Sequence, residues 1–341
     1  ERLISSHTKL LGNSQIKLLT LVLLCVLTSC GEPSLSNRTF VLTTGTTSAT
    51  YYPVGVALAT LVSANLDSEF SLSAISSAGS LENVKLLRDD QAQFATMLSI
   101  FATWAYEGEG PFLNPQRHIR SVTALWPNVE HLLLQSDFVT NGTFEDIGKL
   151  DGERISIGMR NSGAEITGFY ILDKLGINYE TELSVAYLGY GPSADALQDG
   201  NIVGLNAPGG PPMAAITRAH ALLGDRLTML SINQDELNAI NAEYPIWDFY
   251  DLPAETYPSQ SKPVRTAASS NVLVARDDVP ENIVYEFTKL IWENLAVLRE
   301  IHGATRSMDF EQALRGVTIP LHKGAKRFYR EKGLNIPEAL L

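Results

Sequence analysis

The chain of 341 residues has only two cysteines, Cys25 and Cys30, and both fall within its first 30 residues. Past that point no thiol remains for a disulfide, a thiolate metal site or cysteine nucleophilic catalysis. Histidine is sparse as well: His118, His131, His220, His302 and His322 stand singly, without the spacing of metal ligands. No Gly-x-Ser-x-Gly elbow, Walker loop or strand-following Gly-x-Gly-x-x-Gly occurs, so serine hydrolysis and nucleotide binding lose their usual signatures. Positive charge is short, with 26 basic residues against 38 acidic and a formal net charge of −12. Such a surface favours neither nucleic acid nor anionic lipid. Beyond Cys30 the apolar runs are too short to span a membrane. The acidic pairs Asp89-Asp90 and Asp277-Asp278 sit beside turns or helix starts, where they complement the helix dipole. These absences predict a protein without metal or cofactor.

What is present begins with Leu21-Val22-Leu23-Leu24-Cys25-Val26-Leu27-Thr28-Ser29-Cys30. Lys9 and Lys17 precede a short apolar run, small residues follow it, and a turn-rich stretch from Gly31 to Asn37 comes next. This reads as an export signal over residues 1–29. The ending Leu27-Thr28-Ser29-Cys30 resembles a bacterial lipobox, which would make Cys30 a lipidated first residue and the membrane anchor. The chain opens on Glu1, and the true start is expected upstream. Removing Glu1, Arg2, Lys9 and Lys17 with the leader leaves 23 basic against 37 acidic residues, a charge of −14, on 312 residues. That length allows two lobes.

From Phe40 onward short apolar runs alternate with helical segments, which predicts α/β layers. Expected strands are Phe40–Gly45, Ser71–Ser76, Phe94–Leu98, His131–Leu134, Arg154–Gly158, Ser184–Leu188 and Asn271–Ala275. Expected helices are Tyr52–Asn65, Leu81–Leu87 capped from Ser80, Glu165–Leu175, Pro192–Gln198, and one from Pro280, at the first helical position, to about Arg299. Loops of glycine and small polar residues at strand ends, Thr44–Ala49, Ser77–Ser80, Met159–Ala164 and Asn206–Gly210, are expected to face a common cleft. In open α/β sheets ligands bind at the carboxyl ends of strands against helix N-termini. Aromatic residues gather near such loops, Tyr51 with Tyr52 and Tyr187 with Tyr190 among them, and suit the wall of a small-molecule site.

Several stretches resemble one family in order. Thr44-Gly45-Thr46-Thr47-Ser48-Ala49-Thr50-Tyr51-Tyr52-Pro53-Val54-Gly55 is similar to the glycine-rich T-Y-Y-P-x-G loop of TAXI proteins, the solute-receptor subunits of one branch of TRAP transporters. Ala78-Gly79-Ser80-Leu81-Glu82-Asn83-Val84 resembles their G-S-x-E-N segment. Leu150 to Gly158 with Ser162-Gly163 resembles L-x-G-K-R-V-S-x-G…S-G, and Leu252 to Pro258 fits as well. Ile319-Pro320-Leu321-His322-Lys323-Gly324-Ala325, followed by Phe328 to Gly333, resembles the family's ending. The resemblance covers about Phe40 to Gly333. It departs at Ser48-Ala49, where two glycines are usual, at Leu98, where glutamine is common, and at Arg160-Asn161, where small residues are.

The resemblance implies a two-lobed α/β fold of the periplasmic-binding-protein type (type II) with its ligand cleft between the lobes. Residues 39–123 plus 266–333 would form one lobe and 124–265 the other. It implies a receptor that captures a small organic anion, such as glutamate or a related dicarboxylate, and presents it to TRAP membrane subunits. Ligand contacts would fall to Thr46, Thr47, Ser48, Tyr51, Tyr52, Gly79, Ser80, Asn83, Ser99, Ser162 and Gly163. Arg160 would add a bidentate grip on a carboxylate. Competing expectations are a lipid-anchored ligand sensor with the same cleft, or an enzyme using His322 or Glu165 as base. For His322 a structural hydrogen bond is the expectation.

Overall fold

The computed structural model describes residues 38–65 and 70–341. The expected leader over 1–29 and the expected lipidation site Cys30 lie outside the described residues. Among the described residues no helix is long and apolar enough to cross a membrane.

Two sheets organise the chain. The first contains β1 (Thr39–Thr43), β2 (Ser71–Ile75), β3 (Phe94–Leu98), β4 (Ile119–Val129), β10 (Asp248–Leu252) and β11 (Val264–Arg276), in the order β10-β11-β3-β1-β2 with β4 also paired to β11. The second contains β5 (Leu132–Gln135), β6 (Arg154–Ser156), β7 (Ser184–Ala186), β8 (Gly204–Asn206) and β9 (Leu227–Met229), in the order β7-β6-β8-β5-β9. β1 runs parallel to both neighbours, with Phe40 beside Leu72 and Leu42 beside Phe94. Such pairs need crossover helices. These are α1 (Tyr51–Asn65) and α2 (Ser80–Arg88).

β3 sits between β11 and β1 and is buried at every residue, as a strand covered on both faces must be. Its Phe94 anchors an edge-to-face aromatic chain, with centroids 6.1 Å from Phe40 and 5.0 Å from Phe287 on α9 (Glu281–Glu293). The long strands β4 and β11 pair antiparallel from Ile119 beside Arg276 to Val129 beside Ala268. After β4 only Glu130 and His131 separate the first sheet from β5 of the second. The crossing is pinned: Val129 and Gly209 exchange backbone hydrogen bonds, Glu130 N–H donates to Ala267, and the Thr266 hydroxyl donates to the Glu130 carbonyl. β10 pairs antiparallel with residues Val264–Ala268 of β11, Leu252 opposite Val264 and Asp248 opposite Ala268.

Two expected helix boundaries differ. The helix expected from Pro280 to Arg299 is two, α9 and α10 (Leu295–Ile301), because Asn294 turns its backbone away at ψ 22° and caps Leu290 with its own amide. Pro280 precedes the first turn rather than opening it. Ser80 is the first residue of α2 and not its cap. Gly79, at φ +114°, takes the cap position, and the Ser80 hydroxyl instead accepts from Leu98 N–H at 3.1 Å. Strands β4, β8, β9 and β10 were not expected.

Phe94→Ala should remove a ring that no neighbour can replace, at a cost of about 3–5 kcal/mol. Chemical denaturation followed by circular dichroism measures it; a loss under 1 kcal/mol would show that the Phe40–Phe94–Phe287 chain does not carry the first core.

Candidate functional site

Four strand-to-helix turns meet between the sheets. The first leads from β1 to α1, where the Thr50 hydroxyl donates to the Gly210 carbonyl at 2.9 Å instead of capping its helix. The second leads from β2 to α2 through Gly79, a conformation that a side chain would strain. The third leads from β6 to α4 (Gly163–Lys174), where Ser162 accepts from Glu165 N–H and the Glu165 carboxylate accepts from Asn161 N–H at 2.6 Å. This is a reciprocal cap. The fourth leads from β7 to α6 (Tyr190–Gln198), capped by Gly189 without a side chain.

Together with β4 and the turn after β8, these ends enclose about 540 Å³ of atom-free space, its open mouth included. Thr46, Thr50, Tyr51, Gly79 and Ser80 form one wall. Met159, Ser162, Gly163, Ala164, Gly189, Tyr190 and Pro208–Gly210 form the other, and Asn128 closes the space at the seam. Among the described residues no charged side chain lines it. The walls approach closely: a Cβ on Gly163 would fall 2.9 Å from the Ser80 hydroxyl, and Lys85 Nζ donates across the gap to Asn161 Oδ1 at 2.9 Å.

The tyrosines are held neutral. The Tyr51 hydroxyl is enclosed and donates to Asn271 Oδ1. Burial raises its pKa, with a Ser80 hydrogen bond pulling partly back. Tyr190 donates to the Pro208 carbonyl at 2.8 Å and is raised by burial and by the nearby Glu130 and Tyr51.

Of the residues singled out in the sequence, Thr46, Tyr51, Gly79, Ser80, Ser162 and Gly163 line the cavity. Thr47, Ser48, Tyr52, Asn83, Ser99 and Arg160 do not. Thr47 is exposed, Ser48 and Tyr52 are half-buried, and the Ser48 and Thr46 hydroxyls lie 3.4 Å apart. Asn83 is fully buried as a latch: it accepts from Thr43 and Ser77 and donates to the Thr44 and Thr96 carbonyls, tying β1, β3 and α2 together. Ser99 opens α3 (Ser99–Glu107), where its carbonyl accepts from Thr103 and Thr318. Arg160 is exposed, with its guanidinium 3.6 Å above the Tyr187 ring. A cation on an aromatic face has a partner already.

Sequence reasoning missed Thr50, Asn128 and Gly189 as lining residues. Nothing in the sequence marks Asn128, a polar residue in the middle of an unexpected strand. His322 caps α11 (Lys323–Glu331), accepting from Gly324 N–H and donating to the Val279 carbonyl. Neither His322 nor Glu165 lines the cavity. Among the described residues no group of three or more His, Cys, Asp or Glu could hold a metal ion.

Behind the cavity, at the crossing of the sheets, Glu130 is buried with only the Trp247 indole on one oxygen, at 3.3 Å, and nothing on the other. Burial pushes its pKa up to about 8. Beside it His131 shares a 2.7 Å hydrogen bond with Tyr257, whose ring stacks on His220; burial holds both histidines down at about 4.

This architecture is that of the periplasmic-binding-protein-like folds. It matches MatC from Rhodopseudomonas palustris with bound malate at a TM-score of 0.54 and 14% identity, over 87% of this chain and 97% of that one. The aliphatic sulphonate binding protein SsuA from Escherichia coli follows at 0.44 and 14%, over 89% and 90% of the two chains. A TctC solute binding protein from Polaromonas follows at 0.46 and 12%, over 78% and 86%. In sequence the match to the NMT1-like family runs over residues 42–333, and the chain belongs to that family.

The buried carboxyl sets a pH signature. Between pH 4.5 and about 8 the native protein holds a proton on Glu130 that the unfolded chain has lost, so this residue lowers stability as pH rises through that window and changes nothing further above it. The two histidines act oppositely, adding stability between about pH 4 and 6.5, so a comparison with Glu130→Gln isolates the carboxyl. The variant should gain on the wild type by an amount that grows from pH 5 to 8, on the order of 4 kcal/mol at the top. Denaturation at stepped pH measures it; a pH-independent difference would show that Glu130 is ionised in the native state.

Proposed function

We propose that this chain is an extracytoplasmic solute receptor, a TAXI-type subunit that captures a small organic anion such as glutamate or a related dicarboxylate and delivers it to TRAP membrane subunits. One observation carries the reading: four helix N-termini converge on a cavity that contains no charged side chain and no catalytic set. Helix N-termini present unpaired N–H groups and positive partial charge, which suits capture of a carboxylate without chemistry on it. The similar fold of MatC was found with malate, itself a dicarboxylate. In this reading lobes of about residues 39–123 plus 266–333 and 124–265, with β10 and the end of β4 reaching from the second range into the first sheet, close around the ligand, export follows from the 1–29 leader, and Cys30 carries the lipid. Thr46, Tyr51, Gly79, Ser80, Ser162 and Gly163 touch the ligand. Thr47, Ser48, Tyr52, Asn83 and Ser99 support those turns, and Arg160 stays on the rim.

A thermal-shift screen of organic acids and acidic amino acids, followed by calorimetric titration, tests the proposal, because a ligand that binds only the folded state raises its melting temperature. At least one carboxylate should bind with a Kd in the micromolar range or below. Gly163→Val should weaken that binding at least 100-fold, since its side chain would enter the space before Ser80. Arg160→Ala should stay within twofold of the wild type. A screen without a single binding carboxylate would contradict the proposal.

A further inference from the structure

Beside the cavity the two walls are joined by aromatic rings. α3, which starts at Ser99 directly after the lining residue Leu98, carries Trp104, and α4, which starts at Gly163, carries Tyr170. The indole meets the Tyr170 ring at 6.4 Å and the Tyr244 ring at 5.6 Å, both edge to face. Tyr170 stacks on Trp247 at 5.4 Å with 16° between the planes, and Trp247 donates to Glu130 at the crossing of the sheets. One aromatic row therefore runs from the crossing to α3. Stacked and edge-to-face contacts are the favourable arrangements of such rings.

The row spans the two ranges proposed as lobes. Trp104 lies in residues 39–123, and Tyr170, Tyr244 and Trp247 lie in 124–265. Within its own range the indole rests on Phe101 at 5.3 Å and against Gly110, where a Cβ would fall 2.6 Å from the ring. The tyrosines of the other range cover the rest, and Trp104 is 3% exposed. Parting the lobes would bring that large apolar surface into water. A polar contact follows the same flank: Lys85 Nζ on α2 donates to Asn161 Oδ1, and Asn161, at φ +64°, donates its own N–H to the Glu165 carboxylate.

Two effects oppose the contact. The ends of α2 and α4 face each other where Ser80 meets Gly163, and their positive partial charges push the walls apart while nothing negative lies between them. The Trp104 Nε1 is buried without a hydrogen-bond partner among the described residues, and water would supply one on opening. Burial of the ring is set against both, so a contact of this kind can release.

We infer that Trp104 with Tyr170 and Tyr244 is an interlobe clasp that holds this chain predominantly closed before any ligand binds. The inference rests on the two-lobe receptor reading and adds to it. A ligand then has little lobe movement left to drive, and its affinity is not reduced by the cost of closing.

Small-angle X-ray scattering of the unliganded protein tests the clasp, with each variant first checked for a cooperative melting transition. The wild type and Tyr170→Phe/Tyr244→Phe, which keeps both rings, should share one radius of gyration. Tyr170→Ala/Tyr244→Ala should increase it by about 1 Å, roughly a twentieth of the radius of a compact chain of this length. Tyr244→Ala alone, which removes one half-buried ring, and Lys85→Ala on the same flank should move it in the same direction by less, and they carry the test if the double alanine variant does not fold.

An unchanged radius in the folded alanine variants would overturn the inference, because the lobes would then be open already in the wild type or held by something other than these rings. A phenylalanine variant as open as the alanine one would overturn it too, by showing that the hydroxyl bonds to the Ile240 carbonyl and to Glu109 hold the lobes. The scattering involves no ligand, so a failed clasp leaves the receptor reading to the carboxylate screen, and a failed screen leaves the clasp to the scattering.

Discussion

Free N–H groups at the starts of four helices, drawn to one point between two sheets, are the constraint around which the rest of this protein is arranged. Each helix end carries positive partial charge, and bringing four together in a low-dielectric space is unfavourable until something negative lies between them. The local chemistry follows from that. Glycines at 79, 163 and 189 let backbone reach the cavity where side chains would block it. Hydroxyls of Thr50 and Tyr190 turn away from the helix ends to occupy carbonyls, which leaves donors in excess. The tyrosine hydroxyls are kept un-ionised by burial, so no negative charge of the protein's own fills the place.

The seam formed by β4 and β11 holds this arrangement in register. Three residues on one face of it and its continuation, Trp126, Asn128 and Glu130, each have a buried polar atom without a partner among the described residues. Trp126 packs 6.1 Å from Tyr51 and against Gly210, Asn128 faces the cavity, and Glu130 stands behind it at the crossing. Asn271 on β11 completes the seam by accepting from Tyr51 and donating to the Trp126 carbonyl at 2.9 Å. The strand that joins the sheets thus carries buried polar groups beside the site. In the proposed function a ligand between the walls would lie against the same strand that sets the geometry of the crossing.

Much of this was legible in the sequence, for reasons that also explain what was not. Strand, small-polar loop and helix follow one another at Thr39–Asn65 and at Ser71–Arg88 with a hydrophobic period that changes at each turn, so the elements and their cleft-facing loops could be read. The loop at Asn206–Gly210 was readable from its glycines and small residues, although the strand before it was not. Asn83 was not separable from a ligand residue, because a side chain that latches two strands and one that holds a ligand need the same amide; only the buried partners Thr43, Thr44 and Thr96 tell them apart. Arg160 looked like a carboxylate clamp by its position before Ser162, but Tyr187, 27 residues later in the chain, supplies its contact. Asn128 gave no signal at all. Its place at the cavity follows from a pairing with a strand more than a hundred residues away.

Hydrogen–deuterium exchange, with and without a saturating carboxylate, reads the donors themselves. The account predicts that the backbone amides of Tyr51, Ser80, Gly163 and Tyr190, which have no acceptor among the described residues, slow at least tenfold on binding, all four together. Protection confined to one wall, or a complex that leaves these amides exchanging as in the free protein, would contradict it.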